Sequence, residues 1–304
     1  MLKASVIMSV YNGAKYLSQS IESILNQTFQ DFEFIIVNDT STDKSLEIIE
    51  NFKNPKIKII NNPQNIGLTK SLNIALKESK GEYIIRMDAD DISLPSRLKE
   101  QIDFMDKNPN IALAGSFAEI IDENDQVISI KKKPTDHKLI KFNLLTGNPF
   151  IHPSLIIQKN IIQENKIYNE SFPYTQDYEL ISRLSQKYQL ANIPKVLIKY
   201  RINKDSITET PNSRLEQKKL ALIISHQNIN NYIPLSQAKT EILLTCLYNK
   251  PNKKIDYIKS AFLYRKITSS FINKEKINNE EKKEIFNFSN SYIKNMLIRF
   301  IKLN

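Results

Sequence analysis

The chain has 304 residues and a formal net charge of +10 at pH 7, with 41% hydrophobic and 25% charged residues, an ordinary globular composition. It has one cysteine, Cys246, and five glycines, where average usage of about 7% would supply roughly four times as many. This excludes an internal disulfide and fits a reducing cytoplasm; it also excludes the Gly-rich loops, G-x-G-x-x-G and G-x-x-x-x-G-K-[ST], that bring backbone N–H groups to phosphates.

The length suits one large domain, or one domain plus an appendage. "ASVIMSV" (4–10) reads as a buried strand, and Leu17, Ile21, Ile24 and Leu25 then share one helical face. "FEFIIVN" (32–38) is the next strand. A helix from about Asp43 turns Leu46 and Ile49 inward, "KIKII" (56–60) is a short strand, and Thr69 is placed to cap a helix carrying Leu72, Ala75 and Leu76. "EYIIRM" (82–87) is a strand ending on an acidic cluster. Alternating strands and helices predict an α/β fold, a mostly parallel sheet with helices on both faces. Ligands then bind beyond the carboxyl ends of the strands, where "YNGAK", "NDTSTD" and "DADD" converge.

After Pro95 a helix is expected over Arg97 to Lys107. "IALAGSFAEIID" and "QVISI" are strands around the turn "ENDQ", "NPFIHPSLII" (148–157) enters another strand, "TQDYELISRLSQKY" (175–188) is a helix, and "KVLIKYRI" (195–202) is a last strand. From about Asn212 the chain turns helical, basic and Asn-rich. The boundary is therefore set near 210, with a domain over 1–210 and a C-terminal helical extension over 211–304.

No apolar run reaches the ~20 residues of a bilayer crossing. The start, "MLKASVIMSVYNG", runs directly into folded-domain pattern, so no cleaved signal peptide is expected. The positive charge invites nucleic acid or an anionic membrane, or is a solvated lysine-rich surface. Single-strand binders interleave basic residues with exposed aromatics; the aromatics here fall within periodic apolar faces, which argues against nucleic acid. Near the end, Ile293, Met296, Leu297, Phe300 and Ile301 share one helical face, while Lys294, Asn295, Arg299 and Lys302 lie mostly elsewhere and Ile298 interrupts the polar side. That face packs on its own domain or on a second copy as a homodimer, or it lies on a membrane as a basic amphipathic helix.

The cluster Asp88, Asp90, Asp91 follows Arg86 and precedes a Pro-started helix. Carboxylates there can simply meet the helix dipole. An EF-hand is excluded, because Ser93 stands where its loop needs Gly and Lys99 where it needs Glu. The chemical alternative is Mn²⁺ or Mg²⁺, held by few carboxylates and completed by substrate phosphates.

The ordered set "VIMSVYNGAKYLSQSIESILNQTF", "IIVNDTSTDKS", "NIGLTKSLNIAL", "GEYIIRMDADDISLPSRLKEQ", "HPS", "TQDYELISRL" and "KYRI" resembles the family 2 glycosyltransferases, over about residues 3–208. These are inverting enzymes of the GT-A fold that use nucleotide-diphospho-sugars. Within them the chain is similar to bacterial enzymes that extend lipooligosaccharide, O-antigen or capsule chains. The resemblance implies a nucleotide-sugar half at about 1–95 and an acceptor half at about 96–210. It implies Tyr11 stacking on uracil, Asp39 on the uracil N3–H, Asp88 facing ribose and sugar hydroxyls, and Asp90 as metal ligand. Relatives commonly have Asp-Asp where this chain has Asn38-Asp39, so Asn38 contributes an amide to base or ribose. Arg86 neutralises the cluster or touches the donor.

Asp177, opening the helix of "TQDYEL", stands where the family has its catalytic base, with Glu179 as second candidate. His152 matches a segment near the acceptor. Many relatives carry His two positions after "YR"; Asn203 stands here, which leaves the metal on Asp90, diphosphate and water, with Arg201 or Lys204 assisting the diphosphate. The implied activity is transfer of a hexose or N-acetylhexosamine from a UDP-sugar to a glycan or lipid-linked glycan acceptor. The expected location is the cytoplasm, peripherally at the inner membrane surface. The rival readings are a nonenzymatic basic nucleic-acid-binding protein and a processive polysaccharide synthase.

Overall fold

The computed structural model describes residues 2–165, 168–203, 210–251 and 253–302. The chain divides into two compact units, Met1–Thr135 with Phe150–Ser213, and Asp136–Pro149 with Arg214–Asn304.

The first unit is built on a sheet of order β3-β2-β1-β4-β8-β6-β9-β5, with β7 paired to β6. The strands are β1 (Ala4–Val10), β2 (Phe32–Asn38), β3 (Ile57–Asn61), β4 (Tyr83–Met87), β5 (Ile92–Ser93), β6 (Ile111–Ile121), β7 (Val127–Lys131), β8 (Ile156–Gln158) and β9 (Gln189–Arg201). The first four are mutually parallel, β8 runs antiparallel to both β4 and β6, and β9 returns parallel along β6. Most of the paired length is thus parallel, as the alternating pattern predicts.

β1 is buried along its whole length, which is why it reads as an unbroken apolar run rather than an alternation. Its Val6 and Met8 share a core with Phe34, Ile36, Ile85 and Met87, with Leu17 and Ile21 of α1 (Ala14–Leu25), and with Leu98 and Ile102 of α4 (Arg97–Lys107). Ile7 and Ile35 point the other way, because side chains alternate across a strand. There α3 (Leu68–Glu78) packs on β1 and β2, with Leu72 and Ala75 fully buried. α2 (Ser45–Asn51) adds Ile49 to the first face. Gly81 is required where the chain re-enters β4, since a Cβ there would lie 2.3 Å from the carbonyl carbon of Ala4. Gly67, not Thr69, precedes the first residue of α3; it sits at φ +87°, a conformation glycine adopts without strain. Thr69 lies inside the first turn.

Four elements had no counterpart in the sequence reading: β5, the 3-10 turn His152–Ser154, α5 (His137–Asn143) and α6 (Lys159–Asn165). The helix expected at 175–188 is α7, Gln176–Leu184, and the last strand begins six residues earlier than the apolar run suggested, at Gln189.

The second unit is helical, with α5, α8 (Pro211–Asn230), α9 (Gln237–Tyr248), α10 (Ile255–Lys274) and α11 (Asn279–Lys302). α5 belongs here because Phe142 packs its ring against Tyr264, Phe271 and Phe288. Cys246 is buried in the same core. Among the described residues no helix is long and apolar enough to cross a membrane.

Candidate active site

The carboxyl ends of β1, β2 and β4 deliver three loops to one edge of the sheet. The first two are laced together. Asn12, at φ 52°, donates its amide to Ser41 Oγ (3.1 Å), and its Oδ1 accepts from the Thr42 amide (2.8 Å). The Gly13 amide donates to Ser45 Oγ (2.9 Å) and the Ala14 amide to Asp43 Oδ2 (3.0 Å). Tyr11 stays 44% exposed on this frame, a free ring face at the mouth of the loops. Asn12 and Ser45 were not singled out from sequence, and Asp43 only as the start of a helix, although Asn and Ser beside a turn are the usual signal for side chains that bond neighbouring backbone.

Asn38 and Asp39 are buried. The Asn38 amide donates to Asn61 Oδ1 (3.1 Å) while its oxygen accepts from the Ser41 amide (3.2 Å). Asp39 accepts from Asn62 Nδ2 (2.7 Å) and the Ile66 amide (2.9 Å) at Oδ1, and from the Gly67 amide (2.8 Å) at Oδ2. Three of the roughly four acceptor sites of a carboxylate therefore hold the approach to α3.

At the end of β4, the fully buried Arg86 forms an ion pair with the partly exposed Asp88. Burial works against the Arg86 charge, but Asp88, then Tyr168 and Asp91, hold its pKa above the ordinary value. Asp90 is half-buried, and burial, reinforced by Asp88, raises its carboxyl to about 6. Asp91 is buried; burial, then Asp90 and Asp88, push it well above the usual carboxylate range, while its Oδ1 accepts from the Arg201 amide (2.8 Å).

The Arg201 side chain points into the scaffold of this loop. Its Nε donates to the Asp90 carbonyl (2.8 Å), and its terminal nitrogens donate to the Asp122 carbonyl and Gln19 Oε1 (both 3.0 Å). It pairs with Asp125 at 2.6 Å and lies 4.1 Å over the Tyr16 ring. A third arginine, Arg97, is wholly buried, its pKa pushed down to about 9 by burial. It donates to the carbonyls of Arg86 (2.7 Å) and Pro153 (2.6 Å), and the neighbouring Gln101 donates to the Ser154 carbonyl (2.7 Å). Like charges crowded at the strand end are thus countered by two guanidinium groups, with a third clamping the backbone behind them.

His152, in the turn that Arg97 clamps, bonds through Nε2 to Tyr168 Oη at 2.9 Å, the rings meeting edge to face. Burial and then Arg86 push the imidazole well below its ordinary pKa, so it is neutral at pH 7. Asp177 opens α7, half-buried in its first turn, where the positive end of the helix dipole favours a carboxylate. Glu179 is committed to Arg183, whose Nε and terminal nitrogen approach its two oxygens at 2.8 and 3.1 Å. Lys204 lies outside the described residues.

Tyr200 of β9 ties these parts together. Burial pushes its hydroxyl pKa up, and Asp91, Asp88, Asp90 and Asp177 add to the shift in that order. The structure therefore brings the end of β4 and the start of α7 within electrostatic reach of one phenol. Lys133 belongs to the same neighbourhood: burial and then Lys131 lower its pKa to about 8, against the pull of Asp177. Tyr168, Tyr200 and Lys133 were missed from sequence. Tyr200 is the tyrosine of the "YR" pair that was noticed, but its place opposite Ile120 of β6 comes only from the β6–β9 pairing.

Among the described residues no group of three or more His, Cys, Asp and Glu side chains converges as a metal cage. Asp90, with Asp88 beside it, nevertheless fits a hard cation, because a half-buried carboxylate next to another is stabilised by positive charge. Few protein carboxylates completed by phosphate oxygens is the usual habit of Mg²⁺ and Mn²⁺.

Glycosyl transferase family 2 matches residues 5–164, a stretch that contains Tyr11, Asp39, the acidic loop and His152 but ends before Asp177. An uncharacterized glycosyltransferase of Haemophilus influenzae is 38% identical over 240 residues, 75% of this chain and 74% of that protein. WbnJ, an O-antigen biosynthesis glycosyltransferase of Escherichia coli, is 32% identical over 256 residues, 81% of this chain and 94% of its own. Among solved structures, the crystal structure of S. aureus TarS 1-349 in complex with UDP-GlcNAc superposes with a TM-score of 0.62 at 19% identity, covering 97% of this chain and 89% of that one. That likeness concerns the fold, which is GT-A. By the match over more than half its length and by its relatives, the chain belongs to glycosyl transferase family 2.

Proposed function

We propose that this glycosyltransferase is inverting and metal-dependent, and that it moves a hexose or N-acetylhexosamine from a UDP-sugar to a glycan or lipid-linked glycan acceptor in bacterial surface polysaccharide or lipooligosaccharide synthesis. The observation that carries the reading is the end of β4, where Asp88 pairs with the fully buried Arg86 and Asp90 follows half-buried, in a family 2 chain. A donor-binding group there and a proton acceptor such as Asp177 are what a single displacement at an anomeric carbon requires.

In this reading unit 1 is the catalytic domain, its nucleotide-sugar half formed by β1 to β4. Tyr11 offers its exposed ring to the uracil. Asp39 has about one acceptor site left for the base N3–H, and Asn38 fixes the loop beside it. Asp88, steadied by Arg86, faces ribose and sugar hydroxyls. Asp90 would hold Mn²⁺ or Mg²⁺, which when bound offsets the charge of the leaving nucleoside diphosphate. Asp177 takes the proton of the acceptor hydroxyl as it attacks from the face opposite the leaving group. The neutral His152 orients the acceptor through a hydrogen bond rather than a charge. In this reading the site of action is the cytoplasmic side, at the inner membrane surface.

The test is UDP release from UDP-Glc, UDP-Gal, UDP-GlcNAc and UDP-GalNAc with a mixed glycan acceptor pool and Mn²⁺. One donor should be turned over, EDTA should abolish release, and Mn²⁺ or Mg²⁺ should restore it. Full turnover in chelated buffer would remove the metal from the reading, and turnover of none of the four would remove the donor class. Tyr11→Ala is expected to weaken UDP binding by ten- to a hundredfold, on the order of the 1–3 kcal/mol of a base stacked on an aromatic. Calorimetry on the folded variant checks this, and an unchanged affinity would count against uracil stacking.

A further inference from the structure

The net charge of the chain is not spread over it. Unit 2 carries 19 Lys and Arg against 8 Asp and Glu, a net charge of +11, whereas unit 1 carries 24 against 25 and is nearly neutral. A solvated lysine-rich coat would cover both units alike. Electrostatic segregation on this scale is the footprint of an anionic partner.

The apolar residues of unit 2 sharpen the assignment. The face of α11 that carries Ile293, Met296 and Phe300 packs into the unit's own core, so the membrane-facing stripe drawn from sequence is in that part an internal one. The outward side is different. In α10, Ile255, Lys259, Phe262 and Lys266 fall at i, i+4, i+7 and i+11 and are all exposed, Phe262 at 69%, opposite the buried Tyr257, Tyr264 and Phe271. In α11, Lys294, Ile298, Ile301 and Lys302 are exposed, Ile301 at 65%. The two helices pack on each other, and the Lys254 ammonium sits 4.8 Å over the Phe300 ring. The start of α10 therefore lies beside the end of α11, and Ile255 and Ile301 share one end of the pair. The one acidic residue between Lys253 and Lys274, Asp256, is half-buried, and none lies between Asn290 and Lys302.

We infer that the outward stripes of α10 and α11 dock on an anionic lipid bilayer, with lysines on the headgroups and Phe262, Ile298 and Ile301 entering the acyl boundary. A second copy of the chain would bring another +11 against the same face. A nucleic acid would meet the lysines but give the isoleucines nothing to pack on. A bilayer with anionic headgroups satisfies both, as interfacial helices with apolar and basic sides do. The inference rests on the inner-membrane location proposed above and names the surface and the partner for it.

The experiment is flotation of the full-length protein with phosphatidylcholine vesicles, with and without phosphatidylglycerol, at low and high salt. Co-flotation is expected only with phosphatidylglycerol and should fall as salt screens the headgroups. Losing each of Lys259 and Lys266, as Lys→Gln, should lower the partition coefficient about fivefold. Phe262→Ser should lower it about tenfold; all three positions are exposed, so circular dichroism should match the parent. Parent protein that stays at the bottom with phosphatidylglycerol, variants that float like the parent, or binding to an oligonucleotide without flotation would each overturn the inference. UDP affinity on the same proteins separates this from the catalytic reading: a chain that binds UDP without floating loses the membrane surface alone, and one that floats without binding UDP loses the donor alone.

Discussion

Asp177→Asn is expected to lower sugar transfer by about 10² to 10⁴, the usual size of a general-base contribution, while leaving UDP affinity near the parent value. The substitution keeps the shape of the side chain at the opening of α7 and removes its ability to take a proton. The groups assigned to the donor, Tyr11, Asp39, Asp88 and Asp90, lie on loops after β1, β2 and β4 and are untouched. Glu179→Gln is the control. Its carboxylate already meets Arg183 at both oxygens, so the expected cost is the few tenths of a kcal/mol of an i,i+4 pair, with transfer close to the parent. Initial rates beside UDP calorimetry for the two variants decide the matter: if Glu179→Gln loses transfer and Asp177→Asn does not, the base is Glu179.

Arg201→Ala is expected to lower stability by about 2–4 kcal/mol, because the buried main-chain carbonyls it serves lose their donor, while Asp125, 43% exposed, stays hydrated and adds little. Its fully buried side chain serves the carbonyls of Asp90 and Asp122, the Gln19 amide oxygen and the Asp125 carboxylate at once. Truncation leaves those acceptors facing a cavity and loosens the loop that carries Asp90. Arg201→Lys should recover only part, because an ammonium cannot reproduce the fork of a guanidinium. The thermal unfolding midpoint of the UDP-free protein is the direct measurement. A variant that melts like the parent but loses affinity for UDP would return Arg201 to the diphosphate, where sequence alone had put it.

That contrast shows what a sequence can and cannot carry. β1, β2 and α4 were legible to the residue, at 4–10, 32–38 and 97–107, because a continuous apolar run and a clean 3.6-residue period are local signals. β5 was not, since Ile92 and Ser93 form a strand only by pairing with Lys199 and Ile198. α5 was missed because seven residues are too few to establish a period, and Phe142 finds its partners more than a hundred residues downstream. The three loops of the candidate site could be gathered from strand order and a general rule about parallel sheets. What the loops do with their side chains could not. Arg201, read from the "YR" pair, was expected at the diphosphate; that its donors end on the Asp90 and Asp122 carbonyls, on Gln19 and on Asp125 is knowledge of the folded backbone. The same holds for Asp39, whose oxygens are largely spent on the amides of Ile66 and Gly67.

The buried Arg97 has a consequence for how such enzymes recombine. Its guanidinium joins the last residues of β4 to the turn at His152, and Gln101 repeats the link to Ser154. A crossover between two relatives placed in the natural-looking gap near Pro95 would draw Arg86 from one parent and Arg97 from the other, and would leave this clamp to chance. Crossovers in the turn between β6 and β7 disturb far less, because all five residues of β7 are exposed and the strand pairs with β6 alone. The end of β4 and the His152 turn are therefore expected to be exchanged as one block, while the β7 edge tolerates exchange.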